Sequence, residues 1–267
     1  SRSIQHDWTD RIDVAEMKLK PLTDLNKNTI FKFVEDEDDF AFANYKKNVG
    51  GQAGVGGHLY GSQVFDASLA SNGLATVLEG TKEIIAEPFA ATVIKPLMSQ
   101  FSGLIVPAIY AMSEDETEGF DNSPRILYNN GIKDSGITYY MPEQNGGTSA
   151  NEEDYLQFSH LTDIPTDVSS PPVASDTQDY NFGECQLLQP VGDSTPNNLY
   201  NLYWSPYYNE LYNPDTRLMT IKVNLSPADI NTFKFNDTVM IKNREFRVNK
   251  IDYKPNDLAT VEFILIP

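Results

Sequence analysis

The last third of the chain alternates. In Thr220-Ile221-Lys222-Val223-Asn224-Leu225 every second residue is apolar, the period of a strand with one buried face. Thr238–Ile241 and Phe246–Ile251 flank Lys242-Asn243-Arg244-Glu245 as a hairpin, and Ala259–Ile266 follows the turn Lys254-Pro255-Asn256-Asp257. Strands joined by connections this short return on their neighbours, so residues 215–267 are expected to form an antiparallel, barrel-like unit. Its inner face is expected to carry Ile221, Val223, Leu225, Val261, Phe263 and Leu265, alternating with Lys222, Asn224 and Glu262. Ser226-Pro227-Ala228-Asp229-Ile230 reads as a cap, a first-turn proline and one short helical turn.

Upstream the pattern is broken into short apolar pieces: Thr29–Val34, Gln63–Phe65, Glu83–Ala86, Ala91–Ile94 and Leu104–Tyr110. Pro88, Pro96 and Pro107 interrupt them, which suits edge strands better than helices. A weak helix is conceivable over Ser68–Thr81, lowered by Gly73 and Gly80. Arg125–Gly131 and Gly136–Met141 resemble two strands about an Asn-Gly turn, and much of 142–198 is expected to be loop. With aromatics at 11%, 16 Gly and 16 Pro, the fold class expected is mainly β: an antiparallel barrel-like domain with short helices and a large loop-rich insertion. The division expected is 1–48 with 199–267 as the barrel-like domain and 49–198 as the acidic insertion. Gly50–Gly57, five glycines in eight residues, reads as a flexible loop.

Charge narrows the function classes. The net charge is −18, and residues 111–200 hold 16 acidic residues against 2 basic ones, a net of −14. Sequence-specific nucleic-acid binding is not expected from such a chain, because affinity for the phosphate backbone comes from Lys and Arg. No apolar run is long enough to span a bilayer. The single cysteine, Cys185, permits no internal disulfide, and its acidic neighbours Asp179 and Glu184 disfavour a thiolate nucleophile.

The templates of catalysis fail on residue identity. There is no Gly-x-Ser-x-Gly elbow, no phosphate-binding Gly-x4-Gly-Lys-Ser/Thr loop and no His-Glu-x-x-His. His6, His58 and His160 share no ligand-like spacing. The acidic runs Glu35–Asp39 and Glu114–Glu118 lack the alternation of a calcium loop and read as solvated faces. No catalytic residue, cofactor or metal is therefore expected. Residues 199–212 place Leu199, Tyr203, Tyr207 and Leu211 four apart, one face of a helix if Ser205 caps and Pro206 opens its main part.

The segments Tyr203–Arg217, Thr220–Leu225, Phe233–Ile241 and Arg244–Ile251 resemble the C-terminal part of tail proteins from marine and Bacteroidetes-type tailed bacteriophages. Those proteins share an aromatic helix, an Asn-Pro-x-Thr-Arg-like turn and the hairpin Phe-x-Phe-Asn-Asp … Ile-Lys-Asn-Arg-x-Phe-Arg-Val-Asn-Lys-Ile. The likeness is to baseplate hub or tail-tip components, similar in architecture to the trimeric hub of contractile tails. It covers about a quarter of the chain, and Phe31–Asn44 more loosely. The resemblance implies a ring-forming structural virion protein without chemistry of its own, assembled in the host cytoplasm and placed between tail tube and host-recognition apparatus. Its partners would be copies of itself, as a trimer before a hexamer, and neighbouring tail-tube, baseplate or tail-fibre proteins.

Two other readings compete with it. One is a carbohydrate-binding or acidic glycoside-processing β-domain using Tyr200, Tyr203, Trp204, Tyr207, Tyr208 and Tyr212. The other is an adhesin whose acidic loops bind calcium. The interface candidates are Leu199, Tyr203, Trp204, Tyr207, Leu211, Tyr212, Phe263 and Leu265, where charge is depleted and aromatics are enriched.

Overall fold

The structure is a computed structural model, and it describes residues 4–34, 39, 61–69, 78–87, 93–96, 105–108, 124–141, 150–162, 177–183 and 196–267. The strands in chain order are β1 (Gln5–Asp7), β2 (Ile12–Pro21), β3 (Asn28–Phe33), β4 (Gln63–Asp66), β5 (Thr81–Ala86), β6 (Val93–Pro96), β7 (Ile105–Ala108), β8 (Tyr128–Met141), β9 (Ala150–Ser159), β10 (Arg217–Val223), β11 (Thr238–Ile241), β12 (Arg244–Asp252) and β13 (Ala259–Leu265). Two short α-helices, α1 (Ser205–Leu211) and α2 (Pro227–Thr232), lie in the C-terminal third. The fold is mainly β.

The chain divides into two compact units, one of residues 1–28, 66–81 and 205–267, the other of residues 29–65 and 82–204. The division expected from the sequence lies instead at 48/49 and 198/199. The first unit joins the two ends of the chain around a six-stranded sheet of order β1-β11-β12-β13-β10-β2. All its pairings are antiparallel except the edge pair β1–β11. The expected inner face is inside: Ile221, Val223, Leu225, Val261 and Phe263 are buried, and Leu265 packs half-buried against them. Each such side chain contributes roughly 1.5–3 kcal/mol by leaving water.

The sheet is not closed into a barrel. Its two edges, β1 and β2, are nevertheless consecutive in the chain, joined by Trp8 and the single 3-10 turn Thr9–Arg11. Six flat strands would hold their outer members about 24 Å apart, whereas five peptide steps from Asp7 to Ile12 reach roughly 18 Å at most. The sheet must therefore curl, and Trp8, buried in the same cluster as Phe263 and Val239, sits where it curls.

Local signals explain the corners. Ser226 and Asp229 form a full capping box at the start of α2, with Pro227 in the first turn, as read from the sequence. The β11–β12 turn is the two residues Lys242-Asn243, both at positive φ (47° and 65°), tighter than the four-residue turn expected. A pair of left-handed residues matches the twist of the strands it joins. Asp237, buried ahead of β11, accepts from the backbone N–H groups of Ile4 and Lys234 at 2.8 and 3.0 Å and lies 3.1 Å from His6 Nε2. These contacts tie β1 to its place.

In the second unit β3 lies between β4 and β5. Thr29, Phe31 and Phe33 alternate inward, and Phe31 meets Phe182, Tyr200 and Trp204 at ring distances of 5.0 to 5.9 Å. Two expectations fail at β8. Residues 128–141 are one continuous strand rather than a hairpin about Asn130-Gly131, and their partner β9 lies within the stretch read as loop. The Asn-Gly pair becomes a bulge, one extra residue between Asn129 and Ile132 with Gly131 at φ 76°. Asn130 is held there by donating to Gln157 Oε1 and to the Leu161 carbonyl. The weak helix over Ser68–Thr81 falls mostly outside the described residues, and residues 67–69 form a turn.

Candidate assembly surfaces

The aromatic helix differs in phase from the reading. Residues Tyr200–Trp204 form a π-turn that runs into α1. Pro206 has no N–H to return to the preceding turn and its ring pushes that turn open. A π-turn takes more than four residues, so counting by 3.6 across it picks the wrong face. The stripe Leu199, Tyr203, Tyr207, Leu211 is half-buried at its ends and exposed in the middle, with Tyr203 at 68%. The buried face is Tyr208 and Tyr212, stacked at 5.5 Å and 17°.

Of the eight interface candidates, Tyr212 and Phe263 are corrected. Both are buried within their own chain, Phe263 in the sheet core and Tyr212 donating its hydroxyl to the Asn26 carbonyl at 2.7 Å. Trp204 is half-buried on Phe31, and Leu265 on the core. Tyr203 and Tyr207 are each exposed, and so is Leu202, which the sequence reading passed over. Burial pushes the Tyr207 hydroxyl above its ordinary range, against the opposing pull of Arg247.

The Asn-Pro-x-Thr-Arg turn has a mechanical role. Asn213 Oδ1 accepts from Asp215 N–H, Thr216 donates its hydroxyl to the Glu210 carbonyl at 2.6 Å, and Arg217 donates to the carbonyls of Pro214 and Thr216. The Glu210 carbonyl near the end of α1 is thus satisfied as the chain turns into β10. Glu210 also takes a two-pronged ion pair from Arg247 on β12, at 2.5 and 2.9 Å, pinning α1 to the sheet.

Two surfaces stand out that the sequence reading did not single out. The first is β2. It pairs with β10 on one side and ends the sheet on the other, and residues 14–21 are exposed throughout. Its register against β10 slips between Thr220↔Lys18 and Lys222↔Asp13, leaving Val14–Met17 looped out. Leu19 lies directly across from the buried core residue Met219 and is itself 59% exposed, because nothing of this sheet lies beyond it. Lys18 and Lys20 alternate with Leu19 and so stand on the opposite face of the strand, and Met17, in the looped-out stretch, is also exposed. The period-2 pattern of Met17, Leu19 and Pro21 was the signal available in sequence.

The second is the β8–β9 ribbon in the other unit, whose polarity is inverted. Gln157 (2% exposed) and Ser159 face inward, with Asn130 donating to Gln157 and Ser159 Oγ accepting from Leu161 N–H. Leu156, the adjacent residue and so on the opposite face, is 54% exposed, and its cross-strand partner Ile132 and its same-face neighbour Phe158 are exposed too. Asp134 and Asp154, paired directly across the ribbon, lie exposed on the same face. Alternation alone assigns the apolar side to the core, so sequence could find this strand's faces but not their direction.

The second unit also holds a buried polar cluster. His160 Nδ1 is 3.0 Å from Asp179 Oδ1 and 2.9 Å from Asn181 Nδ2, and all three residues are sealed from solvent. Gly61, at φ 68°, and Gly183 allow this close packing: a Cβ on Gly61 would lie 2.5 Å from Asn181 Oδ1, and one on Gly183 2.3 Å from the Ser62 carbonyl. Asp39, expected on a solvated face, is buried in an ion pair with Arg125 at 2.8 Å. Residues 35–38 and 114–118, His58 and Cys185 lie outside the described residues. Among the described residues no three His, Cys, Asp or Glu side chains gather as a metal site, and no helix is long and apolar enough to cross a membrane.

A cleft of about 560 Å³ opens between Asn224–Pro227 and Tyr253–Leu258, with Asp257 among its lining residues. Among the described residues the closest aromatic stack, Tyr128 on Tyr180 at 3.9 Å and 3°, turns the rings against each other; burial first, then Tyr180, pushes the Tyr128 hydroxyl up to about 12. No family model matches the chain, and neither a curated protein nor a solved structure does.

Proposed function

We propose that this chain is a structural protein of a bacteriophage tail, a baseplate hub or tail-tip ring component linking the tail tube to the host-recognition apparatus. The observation that carries the reading is a small curled sheet around an apolar cluster, together with exposed apolar side chains on β2 and on the β8–β9 ribbon. Contiguous apolar surface of this kind is what an assembling protein presents to its neighbours.

On this reading the protein has no catalytic role, cofactor or metal. The Asn-Pro-x-Thr-Arg turn and the β11–β12 hairpin, which carry the likeness to tail proteins, hold α1 and the sheet in shape. The ring is made of copies of the chain, a trimer before a hexamer, against tail-tube, baseplate or tail-fibre proteins. The sugar-binding reading is less well supported, because the aromatic side chains at closest stacking cover one another.

Mass spectrometry of purified particles, made from the genome that encodes the chain, tests the reading. It predicts the chain at a copy number in a small multiple of three. A chain confined to the infected cell and missing from particles overturns it.

A further inference from the structure

We propose that Tyr128 and Tyr180 form a site of oxidative cross-linking, at which a one-electron oxidant joins the two rings into a dityrosine that staples β8 to the segment around Tyr180. The ring centres lie 3.9 Å apart and the planes are 3° from parallel. Tyr128 opens β8, and Tyr180 follows Gln178 and Asp179, which bridge to Asn197 and Leu161. Both tyrosines are half-buried. The Tyr180 hydroxyl is near enough to that of Tyr128 to hydrogen-bond with it. The rings therefore stack with their hydroxyl ends together, and the carbons beside the hydroxyls are brought face to face.

Phenoxyl coupling needs that arrangement. Loss of one electron and one proton from each phenol leaves a radical shared between the oxygen and the ring carbons ortho to it. The new carbon–carbon bond forms along the p orbitals, perpendicular to both planes, so facing rings are aligned for it. The roughly 3–3.5 Å of a near-attack pair is a short step from this stack. The hydrogen on each joined carbon then moves to its oxygen and restores two phenols. With a haem peroxidase drawing the electrons, one hydrogen peroxide takes up two electrons and two protons and leaves two waters. Two other tyrosine contacts among the described residues fail this geometry. Tyr208 and Tyr212 are buried with their centres 5.5 Å apart, and Tyr207 stands at 74° to Tyr208.

The chain's single cysteine permits no internal disulfide. A bond from Tyr128 to Tyr180 closes a loop of about 50 residues and restricts the unfolded chain as a disulfide would. It lies wholly within the second unit and does not depend on the tail reading.

The full chain, dilute and treated with a haem peroxidase and hydrogen peroxide, is expected to gain the blue fluorescence of dityrosine while staying monomeric on a denaturing gel. Its intact mass should fall by two hydrogens, and proteolysis with tandem mass spectrometry should find the peptides of Tyr128 and Tyr180 joined. Tyr128→Phe and Tyr180→Phe keep a ring in the stack without its phenol, so each should lose the intramolecular product, whereas Tyr207→Phe should keep it. The cross-linked wild type should melt at a higher temperature than the untreated chain. Dityrosine mapped to other pairs, dimers in place of the intramolecular product, or Phe variants at 128 and 180 that couple like wild type each overturns the site. So does a wild type that gives no product under conditions that couple a short tyrosine peptide, or a cross-linked chain that melts no higher than before.

Discussion

Trp8 stands edge-on to Phe263, their ring centres 6.1 Å apart and the planes inclined at 75°. The residue that links the two edges of the sheet is thereby fixed to the middle of its core. Phe233, 5.5 Å from the Trp8 ring, covers its other side. Trp8→Ala removes the plug and leaves a cavity at the curl, with an expected loss of about 3–5 kcal/mol. Guanidinium titration followed by circular dichroism measures it, and a loss below about 1 kcal/mol would mean that the curl does not depend on this ring.

The capping box at α2 gives a smaller, separable effect. Ser226→Ala removes the acceptor for the Asp229 N–H and one partner of the Asp229 carboxylate, which Arg11 also contacts. The expected cost is about 1 kcal/mol, read from the denaturation midpoint at unchanged slope. A change of no more than a few tenths would remove the cap from the account.

The N-terminal strand should loosen in acid. Asp237 is held below the ordinary carboxylate range, first by the Ile4 N–H and further by His6 and the Lys234 N–H. A carboxyl whose folded value is depressed contributes stability that is fully present above its unfolded value near 3.8 and is lost as pH falls through the folded value. Amide exchange at Gln5–Asp7, followed from pH 6 down to 2.5, should rise below about pH 4, and Asp237→Asn should remove that step while raising exchange throughout. A flat profile in the wild type would contradict the assignment.

The Arg247–Glu210 pair should couple. Its direct partner raises the Arg247 guanidinium above its usual value, Glu210 being the largest cause. Both groups are about a third exposed or less, so solvent screens part of the attraction. A double-mutant cycle with Glu210→Gln and Arg247→Met is expected to give a coupling of about 1 kcal/mol. Strict additivity would show α1 held to the sheet by other contacts.

The C-terminal sheet was legible because each level of its sequence agrees. Alternation in 220–225 and 259–265, the Ser226-Pro227 start and the Lys254–Asp257 turn all name the same structure, and Asn256 indeed takes positive φ there. The parallel docking of β1 on β11 was not legible, since three residues 233 positions away carry no local signal. Asn130-Gly131 was misread because a turn and a bulge both use a left-handed glycine, and the choice was made by Gln157 and Leu161 on a distant strand. The helix face was misread for a physical reason of the same kind, a proline that changes the helical period beside it. Among the surfaces, β2 was written in its alternation, whereas the outward turn of Leu156 depends on Asn130 satisfying Gln157 within.

The most direct test of the central claim is an electron cryo-microscopy map of the purified particle. The account predicts a closed ring of this chain at the tail end, with the six-stranded sheets recognisable and Leu19 of each copy covered by its neighbour. A particle whose tail density is fully assigned without this chain, or one that carries it as isolated copies with Leu19 and Leu156 both facing solvent, would contradict it.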